Sequence, residues 1–445
     1  MTRSDRIKTI LSLGLPIIGG MLSQSLLNLI DAAMVGSLGQ VALAGIGIGG
    51  YATFLALSLI LGLSSGVQAM VARRRGQNRN SEIARPLNWG IFLALITALP
   101  LTFFYTSVSE QMVALMSTDH QALSIADDYF RYRILAILAV GMNLCFRGYW
   151  NGTNRPMVYL RILIIMHIAN VLISFGLIFG HFGLPQMGAA GAGLGTTIAL
   201  YIGCALIAVV TWKDARPKGF MKMRRRSQSS PSSLRTLLKL SIPHSIQQFF
   251  FAAAVAVLFW IIGQLGTDQQ AIGHVLINLA LFLILPGVGF GIASTTLVSH
   301  ALGESRPELA CRWGWDIIKT ATILMALLSL PMWLIPDPIL ALFLQDPILI
   351  EQARLPLMLT GLAICLDVAA IVLTQALLGA GANRTVMLIT TAGQWCFYLP
   401  LAWLVGPYLG FGLTGIWLLQ VAHRTLSSAA FIYIWKKQRW VHIHL

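Results

Sequence analysis

Long apolar runs separated by short polar stretches make up most of the sequence. A bilayer-spanning helix needs about 20 mainly apolar residues, and twelve runs of this kind follow one another along the chain. They predict spans at residues 9–36, 45–71, 86–106, 129–150, 161–182, 188–212, 237–263, 271–298, 313–335, 355–378, 385–404 and 411–434. The composition, 56% hydrophobic and 11% charged over 445 residues, agrees with this pattern. We therefore predict an all-α integral membrane protein with twelve transmembrane helices.

Basic residues fall in alternate loops and so predict the orientation of the chain. They precede the first span, follow the second, fill the stretch between the sixth and seventh, and end the chain. Since Lys and Arg accumulate in cytoplasmic loops, both termini are predicted to be cytoplasmic. We therefore attribute the formal charge of +15 to Lys and Arg residues in cytoplasmic loops, and we expect no nucleic-acid partner. The expected location is the cytoplasmic (inner) membrane of a bacterium.

The two halves of the chain repeat at a fixed offset. Pro16 corresponds to Pro243 and Gly39 to Gly266, each 227 residues apart (243 − 16 and 266 − 39). The helix end VARRRGQ corresponds in the same way to VSHALGE. An even number of spans returns each half to its starting side, so the repeats are parallel. This predicts two six-helix bundles, at residues 1–212 and 237–445, joined by a basic cytoplasmic linker at 213–236.

A polar stripe runs along the first span, PIIGGMLSQSLLNLIDAAMVGSLG at 16–39. Gln24, Asn28 and Asp31 fall on one face at the helical period. A carboxylate inside a span is costly, by about 2.5 kcal/mol or more, so Asp31 is expected to face partners or a cavity. Its repeat counterpart is Leu258. The acid is therefore specific to the first half, and a role in proton or ion coupling is our prediction.

The fifth and sixth spans carry further polar residues of the first half. His167, Asn170 and Ser174 share one face of the fifth span, and Thr196 lies in the sixth. Each alone is explained by an interhelical hydrogen bond, and His167 is interpreted as a packing residue. Together with Asp31, the others could form one oxygen-rich pocket. No Cys or His spacing typical of a structural metal site occurs.

Three other residues inside or beside the spans are candidates. Asp367 in the tenth span has Val140 as its counterpart, and it marks a possible second site. Pro16 removes a backbone hydrogen bond from the first span and permits a bend there. Arg147 is expected to reach the cytoplasmic interface, and Arg424 receives no role.

Several motifs together resemble the multidrug and toxin extrusion (MATE) family. They are the first-span pattern, the paired helix ends, the loops GTNR and GANR, and MGAAGAGLGTT. The first span and NVLISFGLIFG are most similar to the bacterial DinF branch. The resemblance covers nearly the whole chain. It implies a V-shaped pair of bundles that exports amphipathic, often cationic compounds.

The resemblance also implies roles for residues. In that branch the first-span acid corresponds to Asp31, the fifth-span Asn to Asn170 and the sixth-span Thr to Thr196, and the bending proline corresponds to Pro16. Relatives often carry a second carboxylate where this chain has Ser174, which favours protons over sodium.

The tenth-span acid of the NorM branch is matched by Asp367, twelve residues before Gly379 (379 − 367). In that branch a second acid accompanies it in the seventh span, and the corresponding position of this chain is occupied by Phe251. Only half of that second site is therefore present, and the role of Asp367 is left open.

We thus predict a secondary active multidrug antiporter that exchanges amphipathic cations and drugs for protons, with sodium at Asp31 as the other possibility. The alternatives are a lipid-linked precursor flippase of the same superfamily and an integral-membrane enzyme. Neither an enzymatic activity nor a cofactor is expected. We expect a monomer surrounded by membrane lipid, with small molecules as its partners.

Overall fold

The computed structural model describes residues 3–116, 119–221 and 231–443, and these residues are almost entirely helical. The α-helices are α1 Arg3–Gly36, α2 Gln40–Ser58, α3 Gly62–Gly76, α4 Arg85–Ser107, α5 Ser109–Ala114, α6 His120–Ile134, α7 Ile137–Gly152, α8 Pro156–Phe179, α9 Ala189–Ala215, α10 Pro231–Gly263, α11 Thr267–Gly303, α12 Pro307–Leu334, α13 Pro336–Ala341, α14 Pro347–Ala380, α15 Asn383–Ala392, α16 Leu399–Trp403 and α17 Gly412–Lys437. Two π-helical segments, Gly393–Tyr398 and Leu404–Tyr408, flank α16.

The predicted all-α membrane fold is confirmed, with some spans built from more than one helix. By length and composition, ten helices can cross a membrane, or eleven if α6 and α7, which meet at 52°, form one broken span. The twelfth predicted span coincides with α17, which is 26 residues long and carries Arg424. The second predicted span is interrupted between α2 and α3.

The repeat read from the sequence recurs in the backbone. The short helices α5 and α13 begin at Ser109 and Pro336, again 227 residues apart (336 − 109). Gly39 and Gly266 precede α2 and α11 with φ of 119° and 109°, a region that glycine adopts at little cost. Both halves therefore use the same turn before the second helix of the repeat.

Contacts divide the chain into two compact units. One, here named the N unit, is Gly19–Ser245, and the other, the C unit, is Met1–Ile18 with Ile246–Leu445. The divisions fall shortly after Pro16 and Pro243 in helices α1 and α10. The N unit thus extends past the predicted boundary at residue 212. The described part of the predicted linker packs within it: the amide of Ala84 donates to the Lys218 carbonyl at 3.1 Å. Residues 222–230 of that linker lie outside the described residues.

Helices in the N unit pack in pairs, α8 along α9, α2 along α6, and α3 along α7. Glycines permit close approach of α3 and α7, because a Cβ on Gly148 or Gly152 would meet the α3 backbone. In the C unit, α14 packs against α11, α12 and α17. Its core contains buried residues such as Ile262, Leu276 and Trp417. Each unit thus has its own apolar interior.

Candidate functional site

The predicted polar stripe of α1 forms a chain of hydrogen bonds that extends to α8. Gln24 donates from Nε2 to Oδ1 of Asn28 at 3.2 Å. The same Gln24 presents Oε1 to Nε2 of His167 at 3.2 Å. Gly19 and Gly20 of α1 pack against leucines of α8, which brings the two helices close enough for this contact. His167 is therefore a hydrogen-bonded packing residue between two helices, as the sequence indicated.

Asp31 lies one turn beyond this chain and has a different environment. Its side chain is half-buried, and Oδ1 is buried with no hydrogen-bond partner among the described residues. The guanidinium of Arg133 on α6 interacts with the carboxylate electrostatically. Tyr129, one turn earlier on α6, interacts with both charged groups and hydrogen-bonds to Arg133. The acid thus shares its surroundings with a cation and a phenol.

Arg133 and Tyr129 are the residues that the sequence analysis missed. Nε and Nη1 of Arg133 are buried and, within the described part of the chain, have no hydrogen-bond partner. A basic residue inside the predicted fourth span was a usable signal. Its proximity to Asp31, 102 positions away (133 − 31), could not be predicted from the positions of the two residues in the sequence.

The other predicted site residues lie on α8 and α9. Ser174 donates to Oδ1 of Asn170 at 3.2 Å, and both side chains are buried. Thr196 donates to the Ala192 carbonyl of its own helix at 2.8 Å. Gly195 beside it packs directly against Ser174. The structure therefore brings Asn170, Ser174 and Thr196 together, while none of the described hydrogen bonds joins them to Asp31.

An apolar groove of about 320 Å³ lies beside this region, between α1 and α8. It is lined by Ser23, Leu26, Leu27, Ile30, Ile164, His167, Ile168, Val171 and Leu172. His167 is its one ionisable lining residue. Among the described residues, no group of three or more His, Cys, Asp or Glu side chains is placed to hold a metal ion.

Asp367, the possible second site, is engaged in an ion pair in the C unit. Nη1 of Arg424 on α17 donates to its Oδ2 at 2.7 Å, and the Asp367 side chain is only 4% exposed. Arg424 therefore has a role that the sequence left unassigned. The negative charge of the Asp367 carboxylate is therefore already balanced by the positive charge of Arg424. His423 beside Arg424 stacks on Tyr398, with ring centroids 5.1 Å apart.

Two other expectations concern Pro16 and Arg147. Pro16 lies inside α1, which continues as helix on both sides of it. The expectation for Arg147 is wrong: its Nε donates at 3.1 Å to Ser64, in the first turn of α3. The C-terminal end of α3 lies twelve residues further on at Gly76, about 18 Å along the helix at 1.5 Å per residue. The guanidinium is therefore held away from the basic end of α3.

The MatE family model matches residues 16–176 and 243–404, one match in each half of the repeat. The chain belongs to the MatE family. The family resemblance drawn from the motifs is thus confirmed, and the two matched ranges correspond at the 227-residue offset (243 − 16).

Relatives and solved structures of similar fold agree with this assignment. "Probable multidrug resistance protein NorM" of Thermotoga maritima is 25% identical over 441 residues, covering 97% of this chain and 93% of the relative. The same name is carried by a Brucella suis relative, 27% identical over 440 residues, with 96% and 92% covered. The DinF branch stays a prediction, since both of these relatives carry the NorM name.

Among solved structures, a MOP superfamily transporter from Pyrococcus furiosus Vc1 (DSM3638) aligns with a TM-score of 0.89. It is 19% identical, with 99% of this chain and 97% of that chain covered. A MATE in the straight conformation aligns with a TM-score of 0.87, 19% identity and coverage of 97% and 96%. At this identity the two structures support the fold of the MatE chain.

Proposed function

We propose that this MatE protein is a secondary active efflux transporter that exports amphipathic, often cationic compounds in exchange for protons. Family membership and the multidrug resistance named for its NorM relatives support the transported class. The proposed mechanism is alternating access between two arrangements of the helices. We place the protein in the bacterial cytoplasmic membrane as a monomer, with both termini in the cytoplasm.

The observation that carries the coupling proposal is the environment of Asp31. Its buried Oδ1 has no hydrogen-bond partner in the described part of the chain, although the residue lies inside a spanning helix. A carboxylate in such a place is costly unless it is compensated or protonated. The nearby cation, Arg133, compensates the charged form. Protonation removes that attraction and gives the carboxyl group a hydrogen to donate.

The transport step follows from this change. When Asp31 is neutral, it no longer attracts Arg133, and the hydrogen-bonded stripe of Gln24 and Asn28 next to it is free to rearrange. The bend of α1 then changes at Pro16, where the helix lacks a backbone hydrogen bond. Coupling requires that protonation favour one helix arrangement over the other, because a ligand that binds both equally shifts nothing. One charge crossing a potential of 100 mV supplies about 2.3 kcal/mol.

Two features favour the proton over sodium as the coupling ion. Ser174 stands where a second carboxylate would supply a further hard oxygen ligand, and it is bonded to Asn170. Arg133 places a resident positive charge near Asp31, which repels a metal cation and leaves a neutral carboxyl unaffected. Asn170, Ser174 and Thr196 are proposed as supporting residues next to the coupling acid. Sodium binding at Asp31 is the competing hypothesis.

The test is efflux of ethidium and norfloxacin from energised cells that produce the protein. We expect export by the wild type, loss of most of it in Asp31→Asn, and full export in Glu351→Gln, an exposed acid used as the matched control. Full proton-coupled export by Asp31→Asn contradicts the coupling role. If the wild type exports neither compound, the efflux proposal fails and the flippase alternative gains support.

A further inference from the structure

Arg147 is a half-buried cation on α7 of the N unit. Its Nε donates to Ser64 of α3 at 3.1 Å. Among the described residues, no acidic side chain forms an ion pair with it. A basic side chain inside the helices of a membrane protein is expensive to maintain, and such residues usually mark a path or binding site for a ligand.

The C unit offers a direct comparison. There another half-buried arginine, Arg424, has the Asp367 carboxylate at 2.7 Å. The counterpart of Arg147 in the repeat is Thr374 (147 + 227). The shared scaffold therefore forms without an arginine at this position. Arg147 is a feature of the N unit alone, and no described carboxylate accounts for it.

The surroundings of Arg147 add further hydrogen-bond donors and positive charge. Ser64 lies in the first turn of α3, a 15-residue helix whose N-terminal end carries partial positive charge. The hydroxyl of the next residue, Ser65, lies 2.5 Å from Nδ1 of His244, which is also buried. Arg147 interacts electrostatically with His244. The Ser65 hydroxyl also donates to the Gly62 carbonyl at 3.1 Å, and the first amide of α3 donates to a serine hydroxyl of α10. The groups available to an anion here are therefore the guanidinium of Arg147, the Ser64 hydroxyl and the His244 imidazole, beside the positive end of α3.

We propose that Arg147, with Ser64 and the Ser65–His244 pair, forms a subsite for the carboxylate group of a transported amphipathic compound. The guanidinium is planar and offers paired N–H groups that match a carboxylate. The subsite rests on the proposed export function and assigns a recognition site to the carboxylate of zwitterions such as norfloxacin, which carry it beside a cationic group. Asp31 handles the proton, and Arg147 recognises the anionic end of the substrate.

A matched ligand pair tests the subsite. Norfloxacin and its ethyl ester share the cationic amine and ring system but differ in the free carboxylate. Their binding to the purified full-length protein in nonionic detergent is measured for the wild type, Arg147→Met, Arg147→Lys and Arg161→Met. Arg161 is an exposed arginine on α8 and serves as the control. Thermal unfolding of each variant establishes that it is folded.

We expect Arg147→Met to weaken norfloxacin binding at least about tenfold, the size of one lost charge-assisted hydrogen bond, and ester binding less than about twofold. Arg147→Lys keeps the charge but loses the paired N–H groups, so the preference for norfloxacin over the ester should fall partway. Arg161→Met should match the wild type. Equal weakening of both compounds, or no weakening of either, overturns the proposal. If Arg147→Met does not fold, Arg147→Lys decides by the same criterion.

A lipid phosphate is the other anion that could occupy this subsite. Thermal unfolding in nanodiscs of phosphatidylglycerol or phosphatidylcholine separates the two sources. If phosphatidylglycerol stabilises the wild type but not Arg147→Met, the site binds a lipid headgroup and the substrate role is overturned. If the unfolding temperature differs between the two lipids by the same amount in both proteins, the substrate role is supported. Ethidium, which lacks a carboxylate, should be exported by Arg147→Met as by the wild type. If the wild type itself does not export ethidium, the efflux function is contradicted, which is a different outcome from failure of the subsite.

Discussion

The guanidinium of Arg424 donates to the carboxylate of Asp367 at 2.7 Å, between α17 and α14. The Asp367 side chain is 4% exposed and that of Arg424 29%. A buried pair of this kind leaves an uncompensated charge when one partner is lost, which is strongly destabilising. We therefore assign Asp367 to the stability of the C unit, in contrast to Asp31.

This assignment predicts different stability effects for the two acids inside the spanning helices. Asp367→Ala should lower the free energy of unfolding by about 3 kcal/mol, because Arg424 is left without its partner. Asp31→Asn should cost less than this, because the Asp31 carboxylate interacts with Arg133 electrostatically without a described ion pair within 4 Å, and its buried oxygen has no hydrogen bond among the described residues. Thermal unfolding of the purified variants measures both.

The double variant Asp367→Leu with Arg424→Met is the control for this comparison. Replacing both charges by apolar groups should recover most of the lost stability. A double variant as unstable as Asp367→Ala would show that the effect does not come from the unpaired arginine.

Close helix packing predicts unequal effects at two glycines. A Cβ on Gly62 would meet the Ser241 carbonyl oxygen at hard-contact distance, and a backbone oxygen cannot move aside cheaply. Gly62→Ala should therefore destabilise the N unit by about 1–3 kcal/mol. Gly50, on α2, has no atom within 4 Å of such a Cβ. Gly50→Ala should leave stability unchanged or raise it slightly. Equal unfolding temperatures in the two variants would contradict this packing.

Pro16 is predicted to act in transport rather than in folding. Pro16→Ala restores the missing backbone donor and stiffens α1, so efflux should fall severalfold while thermal unfolding stays near the wild type. Pro243→Ala, the counterpart in α10, is the matched control because it lies in the half that lacks the acid. Wild-type export by Pro16→Ala would remove the bending step from the mechanism.

The basic loops predict that the C-terminus, after Lys436 and Lys437, lies in the cytoplasm. A green fluorescent protein fused there should fluoresce, and alkaline phosphatase fused at the same position should be inactive. An active phosphatase fusion would reverse the orientation and, with it, the proposed direction of proton flow.

Features that repeat along the chain were predictable from the sequence. The apolar runs indicated twelve spanning segments, because a run is recognised from local composition alone. The offset of Pro16 and Pro243 indicated two similar halves, because a repeat is recognised by comparing residues at one fixed spacing. The interruption between α2 and α3 was not predicted. The run 45–71 is mainly apolar and uncharged, and hydropathy does not register a local break in the helix.

Contacts between side chains on distant helices were not predictable. Arg424 lies 57 positions from Asp367, and which polar residues of two helices meet depends on the rotation of each helix about its axis. The same limit applies to Arg133 beside Asp31 and to Arg147 beside Ser64. For Asp31, the sequence identified the acid and its absence from the second half, and the structure supplied its cationic neighbour.

The central claim, that Asp31 couples export to protons, is tested most directly in proteoliposomes. Purified wild type and Asp31→Asn are reconstituted, and proton and sodium gradients are imposed separately while ethidium transport is recorded. We predict transport by the wild type under the proton gradient alone, and transport by Asp31→Asn under neither. Proton-driven transport by Asp31→Asn at the wild-type rate, or wild-type transport driven only by sodium, would contradict the account.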